Sequence, residues 1–140
     1  MRAPILLDTG PLVALLNARD AHHGWARELL ASVAPPLVTC EAVLSEACFL
    51  VRQLHGGRDR VLELVHRGAV AVPFRLEDEL PAVRRLLSRY ADVPMSLADA
   101  CLVRMAEQHA GSAVMTMDGD FRIYRKHGRQ IVPTLMPERP

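Results

Sequence analysis

Aromatic residues, lysine and cysteine are all scarce in this sequence of 140 residues. Phenylalanine, tyrosine and tryptophan together make up 4% of the chain, while half of it is hydrophobic, so the core must be aliphatic. The three cysteines, Cys40, Cys48 and Cys101, form no CxxC pair and are odd in number, which argues against a disulfide framework or a structural zinc site. We therefore expect one compact domain, residues 1–140, in the reducing cytoplasm.

Long apolar runs and a large net charge are also missing. No segment approaches the length needed to span a bilayer, and Asp8 and Pro11 interrupt the N-terminal apolar run, so we expect neither a membrane span nor a signal peptide. A formal charge of +1 gives no bulk attraction to nucleic acid, so a polyanion must be met by a local basic patch. Lys126 is the only lysine, and this excess of arginine fits either phosphate recognition or a GC-rich genome.

Short apolar runs alternate with segments of helical periodicity along the chain. Strands are predicted at 5–7, 37–39, 69–72, 113–116 and 131–132, and helices at 12–17, 22–31, 41–54, 61–66, 77–90 and 97–110, with a short helix near Asp118. Gly56-Gly57 is predicted to end the helix from 41, and Ser96 to cap the one that Gly111 ends. The alternation predicts a three-layer α/β/α sandwich with a mainly parallel sheet of about five short strands.

Four carboxylates occupy positions that need an explanation. Asp8 and Asp118 each follow a predicted strand at its carboxyl end, the edge at which open parallel sheets form ligand sites. Glu46 and Asp99 lie on helical faces whose neighbours three and four residues away are mostly apolar. Buried carboxylates require compensation. If the four converge, they require cations, and oxygen ligands alone favour Mg²⁺ or Mn²⁺ over zinc.

Each of these acids also has a structural explanation. Asp8 can be a turn residue, Asp99 can cap its helix, and Glu46 can pair with an arginine, although Glu46 has no capping role in mid-helix. The occurrence of all four at such positions favours phosphoryl chemistry, in which a metal activates water and neutralises charge on the phosphate. Asp120, past Gly119, is expected to begin the next helix and to reach a second metal or a bridging water.

The stretches around these acids resemble the PIN-domain family, in particular the VapC-like toxin ribonucleases of type II toxin–antitoxin pairs. They read LLDTGPLVALL, VLSEACFLV, MSLADACLVRMAE and TMDGDFRIYR, and the resemblance covers nearly the whole chain. It implies a parallel α/β/α sandwich, a Mg²⁺- or Mn²⁺-dependent endoribonuclease and a small antitoxin as inhibitor.

The resemblance also assigns roles to individual residues. It implies catalytic and metal-binding roles for Asp8, Glu46, Asp99 and Asp118, with Asp120 as a further metal ligand. Ser96 stands where many relatives carry an additional acid, which weakens any metal role at that position.

Further residues are predicted to orient the acids, to bind RNA or to bind protein partners. Thr9 and Thr116 are predicted to orient the carboxylates through their hydroxyls. A basic cluster after Asp118 is predicted either to bind RNA phosphates or to form the solvated face of a short helix. Its members are Arg122, Arg125, Lys126 and Arg129. The apolar excess between residues 12 and 65 predicts a homodimer and a groove for an antitoxin helix.

Three other functions fit parts of the sequence. An aspartyl phosphatase would use Asp8 as nucleophile, but it requires a second aspartate where Gly10 stands and it leaves Glu46 unexplained. A non-catalytic PIN-like RNA-binding or scaffolding module would be marked by loss of an acid, and all of them are present. A housekeeping RNA-processing nuclease of the same fold stays open, although the short chain mildly favours the toxin.

Overall fold

The computed structural model describes residues 3–138. Its strands are β1 (Ile5–Leu7), β2 (Leu37–Val38), β3 (Val70–Ala71), β4 (Ala113–Met115), β5 (Arg125–Lys126), β6 (Gln130–Ile131) and β7 (Thr134–Leu135). Its α-helices are α1 (Thr9–Leu16), α2 (His23–Ser32), α3 (Glu41–Leu50), α4 (Gly57–His66), α5 (Leu80–Arg89) and α6 (Leu97–Gln108). Two short 3₁₀ helices cover Leu76–Glu79 and Gly119–Arg122. The first two and last two residues of the predicted domain lie outside the described part, and the single-domain assignment stays a prediction.

Five of the strands form one parallel sheet in the order β3-β2-β1-β4-β7. The central strands are buried because apolar side chains occupy both of their faces. Leu6, Leu7, Val114 and Met115 are all fully inaccessible to solvent. The predicted fold class, an α/β/α sandwich with about five short parallel strands, is confirmed.

The order of the strands reverses beside β1. After β1 the chain adds β2 and β3 on one side, and later returns to place β4 on the other side. The carboxyl ends of β1 and β4 are in register, with Leu7 opposite Met115, and the Asp8 amide donates to the Met115 carbonyl at 3.0 Å. In open parallel sheets such a switch point leaves a crevice in which ligands bind.

Several predicted boundaries were wrong. The helix predicted to reach residue 54 ends at Leu50, and Gly57 begins α4 instead of ending α3. The strand predicted at 131–132 overlaps an antiparallel hairpin of β5 and β6, and the fifth strand of the main sheet is β7. The strand error has a physical cause, because the strands at the end of the chain are two residues long and too short to show a periodicity.

Between residues 3 and 138, no helix combines the length and the apolar character needed to cross a bilayer. The predicted cytoplasmic location stays a prediction.

Candidate active site

A cavity of about 440 Å³ opens where the strand order reverses. All five predicted metal-binding acids line it, although they come from four different parts of the chain. The lining residues are Asp8, Thr9, Gly10, Glu46, Leu50, Pro94, Ser96, Asp99, Met117, Asp118 and Asp120. A larger cavity of about 720 Å³ lies between α1, α2 and α4, but Glu63 is the only carboxylate among its lining residues. Chemistry that needs converging acids therefore belongs to the smaller cavity.

Asp8 is fixed at the end of β1 by two hydrogen bonds. Its Oδ1 accepts from the Thr9 amide at 2.8 Å and so caps α1, while its Oδ2 accepts from the Thr116 hydroxyl at 2.7 Å. Burial raises the pKa of Asp8 to about 6, the two hydrogen bonds lower it, and the charges of Asp99 and Asp118 raise it further. The carboxylate is thus held rigidly in a place where its negative charge is poorly compensated.

Asp99 is the third residue of α6 and forms a capping box with Ser96. The Ser96 hydroxyl accepts from the Asp99 amide at 3.0 Å, and Asp99 Oδ2 accepts from the Ser96 amide at 3.3 Å. Oδ2 also accepts from the Tyr124 hydroxyl at 2.9 Å. Burial raises the pKa of Asp99, and the bond from Tyr124 opposes this effect. The capping explanation is therefore correct, and it is compatible with a ligand role because these side-chain bonds involve one oxygen only.

The segment after β4 connects Asp118 to Asp8. The Asp118 amide donates to the Thr116 hydroxyl at 2.9 Å, and that hydroxyl donates in turn to Asp8. Asp118 Oδ1 accepts from the Asp120 amide at 2.9 Å, so Asp118 caps the 3₁₀ helix in whose first turn Asp120 lies. Thr116 thus makes the contact predicted for it, whereas its role in catalysis stays a prediction.

The apolar neighbours of Glu46 suggested that it lies on a core-facing side of α3, but that prediction is wrong. Its side chain is exposed, and Phe49 and Leu50 beside it are 60% and 51% exposed. The buried stripe of α3 runs instead through Val43 and Ala47. The local pattern misled because an exposed apolar patch has the same spacing as a core face. Glu46 still lines the cavity, so it reaches the site from the solvent side.

Two predicted supporting roles need correction. The Thr9 hydroxyl does not orient Asp8, because the backbone amide of Thr9 makes that bond, and the buried hydroxyl has no hydrogen-bond partner within residues 3–138. The basic cluster does not form a helical face. Lys126 is buried in β5, and the Arg125 guanidinium donates to the carbonyls of residues 122, 123 and 124. Arg122 and Arg129 remain exposed.

The donor chemistry of the cavity fits a hard divalent cation. Its acidic side chains offer only oxygen, and the unpartnered Thr9 hydroxyl adds another oxygen at the same edge. Nevertheless, residues 3–138 contain no group of three histidine, cysteine or acidic side chains arranged to hold a metal ion directly. A cation in this cavity would therefore retain part of its water shell, which is usual for Mg²⁺.

Sequence reasoning missed Tyr124, although the residue belongs to the TMDGDFRIYR stretch. A buried tyrosine hydroxyl usually has a hydrogen-bond partner, and the chain has only two tyrosines. That signal indicates that Tyr124 has a polar partner, but only the tertiary structure identifies Asp99 as this partner.

The sequence and the fold match those of known proteins. The family model described as PIN domain matches residues 5–126. Ribonuclease VapC26 of Mycobacterium tuberculosis (strain ATCC 25618 / H37Rv) is 27% identical over 127 residues, which cover 81% of this chain and 86% of that protein. The 23S rRNA-specific endonuclease VapC20 of Mycobacterium tuberculosis (strain CDC 1551 / Oshkosh) is 31% identical over 119 residues, which cover 84% of this chain and 91% of that protein.

A solved structure agrees with these relatives. The crystal structure of Mycobacterium tuberculosis VapC20, named there a sarcin-ricin loop cleaving toxin, superimposes with a TM-score of 0.74 at 29% identity. The match covers 83% of this chain and 91% of that one. Together the matches confirm the resemblance inferred from the sequence, and with it the predicted class of enzyme.

Proposed function

Because this chain belongs to the PIN-domain family, we propose that it is a VapC-like endoribonuclease that hydrolyses RNA phosphodiesters with Mg²⁺ or Mn²⁺. The observation that carries this proposal is the convergence of five carboxylates on one cavity at the switch point of a parallel sheet. Such a cavity attracts divalent cations, and the phosphate of the substrate can approach it only when those cations offset the acids.

We assign a role to each acid according to its burial and its hydrogen bonds. Asp8 and Asp99 are buried and fixed by hydrogen bonds, so we assign them the direct binding of the cation. Glu46 and Asp118 are exposed and free to orient the attacking water and to take its proton. The cation, when bound, supplies charge neutralisation and increases the acidity of water. In-line attack of water on phosphorus then releases the 3′-oxygen.

The decisive experiment is cleavage of RNA by the purified protein with Mn²⁺ or Mg²⁺. Asp99→Asn should abolish cleavage without unfolding the chain, because an asparagine oxygen can still accept the hydrogen bonds from Ser96 and Tyr124. Glu28→Gln, an exposed change on α2, is the matched control and should cleave normally. Undiminished cleavage in EDTA, or by Asp99→Asn, would refute the metal mechanism.

Ribosomal RNA is the first substrate to test. The VapC20 relative is named for 23S rRNA, and its crystal structure for the sarcin-ricin loop. Two exposed arginines, Arg122 and Arg129, follow the Asp118 segment and are the members of the predicted basic cluster that we assign to the RNA backbone. Cleavage mapped by primer extension on ribosomes and on unrelated RNA distinguishes a specific nuclease from a general one.

A small antitoxin is the proposed partner, and the cavity between α1, α2 and α4 is its proposed site. Apolar side chains from all three helices line it, including Leu15, Leu30 and Leu64, with arginines around them. The arginines are Arg19, Arg27, Arg60 and Arg67. This arrangement suits an amphipathic helix with acidic residues at its edges. The predicted homodimer stays a prediction.

A growth experiment in living cells distinguishes a toxin from a housekeeping nuclease. Expression of the chain alone should arrest growth, and Asp99→Asn should relieve the arrest. A short neighbouring reading frame whose product restores growth would identify the antitoxin. Normal growth under expression of an active nuclease would favour the housekeeping alternative.

A further inference from the structure

We propose that Tyr124 is a positioning residue that holds the Asp99 carboxylate in the orientation needed to bind a divalent cation. The Tyr124 hydroxyl donates to Asp99 Oδ2 at 2.9 Å, and the tyrosine is completely buried. This inference rests on the proposed function to the extent that Asp99 is taken as a cation ligand.

The ring of Tyr124 is held so firmly that its hydroxyl has little freedom. It packs edge-on against Tyr90, with ring centroids 5.1 Å apart, and edge-on against Phe121 at 5.2 Å. Tyr90 is anchored in turn, because its hydroxyl accepts from the Arg125 amide at 2.9 Å. A rotation of Tyr124 away from Asp99 would break both aromatic contacts and leave a buried hydroxyl without a partner.

The hydrogen bonds fix the two oxygens of Asp99 in different roles. Tyr124 and the Ser96 amide both donate to Oδ2, so Oδ1 is the oxygen left for a ligand. Asp8 differs in that both of its oxygens accept a hydrogen bond, Oδ1 from the Thr9 amide and Oδ2 from the Thr116 hydroxyl. Thr116 and Tyr124 lie on one short segment after β4, which also carries Asp118. Through these hydrogen bonds the segment orients Asp8 and Asp99 relative to its own Asp118. Hydrogen bonds to the residues that bind a metal tune the affinity for that metal.

The test compares Tyr124→Phe with Tyr90→Phe. Both changes remove one hydroxyl from the same aromatic cluster and keep the ring, but only Tyr124 contacts Asp99. Mn²⁺ affinity is measured by calorimetry, and RNA cleavage is followed as a function of Mn²⁺ concentration. Tyr124→Phe should weaken Mn²⁺ binding about tenfold and raise the Mn²⁺ concentration for half-maximal cleavage to match. Cleavage at saturating Mn²⁺ should largely recover.

The control separates positioning from packing. Tyr90→Phe should leave Mn²⁺ affinity within about twofold of wild type, even if it lowers the melting temperature as much as Tyr124→Phe does. Unchanged Mn²⁺ affinity in Tyr124→Phe, or an equal loss in both variants, would overturn the proposal. If the wild type binds Mn²⁺ but cleaves no RNA, the proposed function fails, whereas the calorimetric comparison still decides the role of Tyr124.

Discussion

Asp8 and Asp99 each have a structural role in addition to the metal-binding role that we propose for them. Asp8 caps α1, Asp99 belongs to the capping box of α6, and both residues line the cavity while each is only 8% exposed. The two roles are compatible because a carboxylate has two oxygens and several lone pairs, and a backbone amide occupies only one of them. A capping position therefore does not argue against a metal-binding role, since the cap fixes the direction in which the other oxygen points.

Asp118 and Asp120 are expected to contribute unequally to RNA cleavage. Asp118→Asn should reduce cleavage by about a hundredfold or more, because it removes a charge directly beside Asp8 and Asp99 while an asparagine oxygen keeps the bond to the Asp120 amide. Asp120→Asn should lower cleavage by about tenfold or less, since Asp120 is not among the charges that act on both Asp8 and Asp99. The measurement is kcat on a short RNA at saturating Mn²⁺, with melting temperature as the control. The reverse order would show that Asp120 is the principal ligand.

Most of the acids in the cavity lie at the ends of helices and strands. The carboxyl end of β1 supplies Asp8, the start of α6 supplies Asp99, and the segment after β4 supplies Asp118. Only Glu46 comes from the middle of an element, on the exposed side of α3. The position of Glu46 therefore depends on how α3 packs against the rest of the protein. A tight turn connects the end of α3 to α4.

That turn gives a prediction on stability. Gly57→Ala should destabilise the protein by about 2 kcal/mol, because a Cβ at this position would overlap the backbone carbonyl of Val51. Gly24→Ala is the matched control, since the space around Gly24 on α2 is open, and it should be neutral or stabilising by about 0.5 kcal/mol. Urea unfolding of both variants measures the difference. Equal stability would mean that the turn after α3 relaxes easily.

The molecule as a whole concentrates negative charge in one cavity while its net charge is only +1. The arginines around the larger cavity and the exposed Arg122 and Arg129 balance the acids from elsewhere on the surface. Burial raises the pKa values of Asp8 and Asp99, and repulsion from the neighbouring acids raises them further. Cation binding and folding stability should therefore be coupled through pH.

The direction of this coupling follows from Asp8. Its pKa is raised from 3.8 to about 6 on folding, so the folded state binds its proton more tightly than the unfolded state. The contribution of Asp8 to stability should fall as pH rises from about 4 to about 6, by up to about 3 kcal/mol in metal-free protein. If Asp8 binds a divalent cation as we propose, the cation takes the place of the proton above that window. Mn²⁺ should accordingly raise the melting temperature more at pH 7.5 than at pH 5.

Calorimetric melting with EDTA or MnCl₂ at the two pH values measures the effect. Asp8→Asn provides the control, because it removes the titrating group and one proposed cation ligand, and it should lose most of the Mn²⁺ stabilisation at pH 7.5. An equal gain from Mn²⁺ at both pH values would contradict the coupling.

The sequence by itself determined the fold class and the candidate acids. Alternating short strands and helices predict a parallel sheet, and Asp8 and Asp118 mark its carboxyl edge because strand ends are local features. The tertiary structure alone decided which side of α3 is exposed, which arginines are free, and that Tyr124 meets Asp99 across 25 residues of chain. These outcomes depend on contacts between distant segments, whereas a sequence pattern reports only on neighbours within a turn or a strand.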